Sequence, residues 1–146
     1  MTKRQKRLIG FLVFLVLIQF VRPSKVNKPV DIQQDFIAAA NVPSDIAPVL
    51  KKSCYDCHSN TPTYPWYFNI SPVNWYLNNH IKGGLKKLNF SEWATLEAKE
   101  KNHKLEEICE VLVEGEMPLK SYTIMHAGTK VEDKMKKRIC EWIEGK

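Results

Sequence analysis

Sustained alternation of apolar and polar residues is missing from this 146-residue chain, and with it any convincing β-strand. No internal repeat or low-complexity tract is present either, so solenoid and disordered architectures drop out. There is no glycine-rich loop of the phosphate-cradling kind, no Ser-His-Asp set and no cluster of histidines with carboxylates, which argues against nucleotide enzymes and hydrolases. A surplus of one charge is also lacking in the body of the chain. The net charge is +6, but Lys3, Arg4, Lys6, Arg7 and Arg22 all fall in the first 22 residues, and beyond them 17 basic residues face 16 acidic ones. The basic excess is therefore a terminal feature and not a phosphate-binding face, and no nucleic-acid partner is expected.

Those terminal charges flank an apolar run, "LIGFLVFLVLIQFV", residues 8–21, interrupted only by Gln19. Basic residues ahead of an apolar stretch are the pattern of an export signal. Small residues suited to a cleavage site are absent after it, because "RPSK" follows. The pattern predicts an uncleaved signal anchor over residues 1–22, single-pass in the inner membrane, with a cytoplasmic N-terminus and the body in the periplasm. A cleaved signal peptide is the alternative. Fourteen helical residues span only about 21 Å against a hydrocarbon core of roughly 30 Å, so snorkelling or local thinning is required.

Residues 23–42 carry Pro23 and Pro29 and read as a tether, with a short helical turn near "QQDFIAAA". The domain proper is expected over 43–146, all-α, with about four helices and long loops. Pro48 suits the first turn of a helix that runs into "SCYDCH". "PVNWYLNNHIKGG" reads as a helix stopped by Gly83 and Gly84. Ser91 is placed to cap a helix carrying Leu105, Ile108, Cys109 and Leu112 on one stripe and ending at Gly115. Thr129 and Glu132 have the spacing of a capping box ahead of a last helix with Val131, Met135, Ile139, Trp142 and Ile143 on one face.

The chemistry-bearing stretch is "SCYDCHSN", residues 53–60. A structural zinc site needs four ligands, and no second C-x-x-C supplies the missing ones. A thioredoxin-like dithiol needs a βαβ setting that this chain lacks. A disulfide between Cys54 and Cys57 leaves His58 unexplained. Attachment of haem c uses all three residues: two thiols for two thioether bonds, and His58 beside them as an axial iron ligand. An exported location agrees with this, since haem c is typically attached outside the cytoplasmic membrane.

Taken together, "CYDCHSN", "YPWY", "ISPVNWYLNNHIKGG", "LNFSEW" and "GEMPLKSYTIMH" resemble the small haem-binding domain family of Bacteroidetes-type bacteria, a variant of the cytochrome c type, over roughly residues 43–146. The resemblance implies one covalent haem c and electron transfer outside the cytoplasmic membrane. Aromatic residues crowd close behind His58, and Trp66, Tyr67 and Trp75 are the expected walls of a haem crevice. Met117, followed by Pro118, has the sequence order of a second axial ligand; Met125, His80 and His126 are the competitors. His103, among lysines, reads as a solvated surface residue. Cys109 and Cys140 are able to pair in an oxidising compartment if their helices pack. The functional expectation is a membrane-anchored monohaem c-type cytochrome, a carrier of single electrons and not an enzyme, working with an unidentified redox partner protein. A haem-based gas or redox sensor and a haem peroxidase with an open sixth site are the alternatives.

Overall fold

The computed structural model describes all 146 residues and contains helices and no strands. The α-helices are α1 (Lys3–Leu17), α2 (Phe36–Ala39), α3 (Ala47–Ser53), α4 (Tyr55–His58), α5 (Val73–Lys87), α6 (Ala98–Val113), α7 (Lys120–Met125) and α8 (Asp133–Glu144). Three 3-10 segments, Ile18–Phe20, Trp66–Asn69 and Phe90–Thr95, join them. The four helices expected for the domain are α3, α5, α6 and α8, so the all-α expectation holds.

The core forms where α6 and α8 press their apolar stripes together. Leu105, Ile108 and Leu112 from α6 meet Ile139 and Ile143 from α8, with Val131 just ahead of it. Cys109 and Cys140 bridge the two helices as a disulfide, their Cα atoms 5.2 Å apart. Ile46 and Leu50 close the cluster from the α3 side. Gly115 ends α6 at a positive φ of 72°, a conformation that costs glycine nothing.

Several local expectations differ from what is observed. Residues 31–42, assigned to the tether, are folded onto the domain. Asp35 caps α2 through Ile37 N, and Phe36 is 1 % exposed, with its ring 4.4 Å from Trp93 and 4.9 Å from Phe90. Burying that one side chain contributes about 1.5–3 kcal/mol, too much for a bare linker. The Thr129–Glu132 capping box does not form; the Thr129 hydroxyl donates to the His126 carbonyl instead. Ser91 caps nothing. Asn89 caps the 90–95 segment, and Ser91 is buried, accepting from the Asn60 N–H. Helix α5 runs through Gly83 and Gly84 to Lys87.

At the N-terminus, α1 buries none of its residues. No helix of the structure is long and apolar enough to cross a membrane. The polar interruption of the apolar run, Gln19, is tied to the domain: its amide donates to Ser71 O at 3.0 Å and accepts from Ser71 N at 2.9 Å.

Candidate functional site

The cysteine motif is one helical turn with a break before it. The chain leaves α3 at Cys54, whose φ of −125° is outside helical geometry, and α4 follows at once. The N–H groups of Cys57 and His58 both donate to Cys54 O, at 3.1 and 3.0 Å. Tyr55 donates its hydroxyl to Asp35 at 2.8 Å and stacks on Phe90 at 5.0 Å. Asp56 accepts from Thr63 N at 3.0 Å and from the Tyr122 hydroxyl at 2.8 Å. Ser59 accepts from Thr61 N. Asn60, 4 % exposed, satisfies both ends of its amide, donating to Glu92 and accepting from Asn89. The "CHSN" and "NFSEW" stretches are therefore halves of one buried network, which is why polar residues survive there.

The two thiols are what this framework leaves free. Cys54 is pushed up to about 12 by burial and by Cys57 beside it; Cys57 is pushed up to about 11 by burial and by the Asp56 carboxylate. Reactive dithiols work with lowered values, so the environment speaks against a thioredoxin-type couple. His58 is held below its ordinary value, chiefly by burial. Its Nδ1 lies 3.0 Å from Leu88 O, an acceptor, so Nδ1 carries the proton and Nε2 keeps its lone pair. A backbone carbonyl behind a histidine is the usual partner of a metal-ligating imidazole. Leu88 is the C-cap of α5, and α5 lies close because Gly84 has no side chain: a Cβ there would sit 2.5 Å from Cys57 O.

Beside Cys57 lies a narrow cleft bounded by Phe68, Leu77, His80, Ile81, Tyr122 and His126, with room for about 30 Å3. His126 is engaged on both ring nitrogens, Nδ1 at 3.0 Å from Tyr122 O and Nε2 at 3.1 Å from the Tyr67 hydroxyl. His80 uses Nδ1 on Tyr76 O. A larger groove of about 620 Å3 runs between α3 and α8, rimmed by Lys52, Lys130, Lys134 and Arg138, but it touches no free cysteine and no histidine. Chemistry rather than volume decides between the two, and it selects the cleft. Of the motif, Cys57 lines the cleft, while Cys54 and His58 lie behind it on the same turn; together they make the donor set a haem needs, two free thiols and an imidazole with an available nitrogen. A porphyrin needs more width than the cleft has, so the 61–69 segment, in which Phe68 is buried and Trp66 exposed, would have to move outward to seat one.

Of the expected site residues, the structure brings Cys54, Cys57 and His58 together, and Tyr67 joins them through His126. Trp66 is 74 % exposed, and Trp75 turns its indole N–H to Val21 O at 2.8 Å; neither lines the cleft. Met117 is half-buried in the turn before α7 and also lies outside the cleft lining. Sequence reasoning passed over Asp56, Asn60 and Tyr122, whose partners are distant in the chain, and took Gly84 for a helix stop. A glycine pair inside an otherwise helical pattern was the one available signal of a close approach.

Neither the curated proteins nor the solved structures contain a match to this chain. The model of a haem-binding domain matches residues 13–145, and with nearly its whole length covered the chain belongs to that haem-binding domain family.

Proposed function

We propose that the protein is a membrane-anchored monohaem c-type cytochrome that carries single electrons on the outer side of the inner membrane. The observation that carries this reading is the pairing of two free thiols with an imidazole whose Nδ1 is committed to Leu88 O. Cys54 and Cys57 would hold the haem by thioether bonds, each thiol adding across a vinyl group so that sulfur joins one carbon and its hydrogen the other. His58 would ligate the iron through Nε2. The haem supplies a one-electron Fe(III)/Fe(II) couple; the chain's part is to anchor it, fix the ligand tautomer and keep water away with Phe68, Leu77 and Ile81.

The Cys109–Cys140 disulfide supports an oxidising compartment, hence export. The exposed apolar C-terminal part of α1, from Leu8 onward, behind the four basic residues of its first turns supports an anchor. Met117 is the proposed second axial ligand. It stands just before α7, and α7 is held to the motif by the Tyr122–Asp56 hydrogen bond. A sensor or peroxidase with an open sixth position is the second reading, and the two part at the sixth ligand. The redox partner is a protein whose chemistry this chain does not specify.

The test is covalency. Expressed with a haem c maturation system, the protein should keep its haem through denaturation and acidic organic extraction, and Cys54→Ala with Cys57→Ala should lose it. Haem that leaves the wild type with the solvent refutes the thioether assignment.

A further inference from the structure

Residues 61–81 contain no Lys, Arg, Asp or Glu, in a chain that is 26 % charged. Within that stretch five large apolar side chains face outward: Trp66 at 74 % exposure, Ile70 at 43 %, Val73 at 41 %, Trp75 at 39 % and Tyr76 at 52 %. Away from α1 and its extension, no other part of the chain gathers so many. This face is bonded to the end of the apolar N-terminal run. Gln19 and Ser71 exchange two hydrogen bonds, the Ser71 hydroxyl donates to Val21 O at 3.3 Å, and the Trp75 indole N–H donates to the same oxygen at 2.8 Å.

We propose that residues 66–76 form an interfacial face that seats the haem domain on the lipid bilayer beside α1. The proposal rests on the reading of α1 as an anchor and goes beyond it, from a tethered domain to a docked one. Gln19 shows where the surface lies. A bare amide in hydrocarbon is costly, and here both of its ends are satisfied, by Ser71 and by Leu15 O. The Ser71 turn therefore meets the apolar run two residues short of its end at Val21. Ile70 and Val73 flank that turn, and Trp75, bonded to Val21 O, lies beside the end of the run, with Trp66 exposed further along the same uncharged stretch. Trp and Tyr are the side chains that favour the head-group layer, with an apolar body and a polar edge. The face also meets a need of α1. An apolar run of about 21 Å falls short of a roughly 30 Å core, and a domain that enters the head-group layer supplies apolar contact where the helix runs out. Lys82 directly follows the uncharged stretch, and Lys25 lies over the Tyr64 and Phe68 rings at its other end, 5.0 and 5.6 Å from their centroids.

The test uses the full chain in phosphatidylcholine vesicles doped with a lipid that carries a photoactivatable diazirine high on its acyl chain. Adducts are mapped by peptide mass after irradiation. Adducts on α1 and on 66–76 alike are expected, and the serine variant Trp66→Ser with Ile70→Ser should lose those on 66–76 while keeping those on α1. Adducts confined to α1 overturn the docked face and leave the anchor standing; a protein or a second copy then covers the face. A chain that does not float with vesicles and takes no adduct overturns the anchor and the face together.

Discussion

Alanine at the two adjacent glycines of α5 should move stability in opposite directions. A Cβ on Gly83 meets nothing within 4 Å. Glycine inside a helix is about 0.5–1 kcal/mol worse than alanine, so Gly83→Ala should stabilise by that amount and raise the Tm by roughly 2–4 °C. A Cβ on Gly84 sits 2.5 Å from Cys57 O and 3.2 Å from its carbonyl carbon, and both are backbone atoms that cannot swing aside. Reaching an ordinary contact of 3.4 Å means moving α5 and the motif apart by about 0.9 Å. Overpacking of this kind costs about 1–3 kcal/mol, so the helix-propensity gain is cancelled or reversed. The displacement also falls on Leu88, which ends the same helix and holds His58 at 3.0 Å; the same shift takes that hydrogen bond past its useful length. Thermal melts followed by circular dichroism give the stability arm, and visible spectra of the haem-loaded protein give the ligand arm. Gly84→Ala should melt several degrees below Gly83→Ala and perturb the iron spectrum, which Gly83→Ala leaves alone. Equal melting temperatures with identical spectra would show that α5 does not press on the cysteine turn, and the close-approach argument would fall.

Met117→Ala should lower the reduction potential and remove the thioether-to-ferric charge-transfer band, measured by redox titration with optical detection; if both are unchanged, His80, whose Nε2 is unengaged beside Cys57, is the residue to substitute next. Cys109→Ser with Cys140→Ser should cost about 3–4 kcal/mol, since the bridge closes a loop of 31 residues, and a urea midpoint that does not move would remove the disulfide from the stability argument.

The parts of the site visible in the sequence were the local ones. Cys54, Cys57 and His58 are contiguous enough that spacing alone puts them on one turn, and the stripes of α6 and α8 predict a core because the helix period dictates who faces whom. That the Cys109 and Cys140 stripes face each other needed the fold. What stayed hidden depends on contacts between distant segments. Gly84 is glycine because of Cys57, 27 residues earlier in the sequence. Phe36 reads as part of a linker until Phe90 and Trp93 are known to surround it. Trp66 and Trp75 carry the composition of a haem wall, but composition does not say which way a side chain points. The Thr129–Glu132 pattern failed because the hydroxyl found a nearer acceptor in His126 O, the local competition to which such side chains are prone.

The uneven fastening of the cleft has a consequence for how the molecule fluctuates. The α6–α8 side is cross-linked and packed on a continuous core, whereas the 61–69 loop has one buried side chain, Phe68, and otherwise hangs on separate bonds from Thr63 to Asp56, Tyr64 to Val26 and Tyr67 to His126. Native-state opening is drawn from such sparsely held segments, with the remainder of the fold still protected against amide exchange. The loop over Cys57 is thus expected to open before the helices behind it. If the haem is held as proposed, admission of a porphyrin would require only this sub-global excursion, and the bound haem would quench it. The side of the protein least firmly held without its cofactor would then become, with it, the side least free to move.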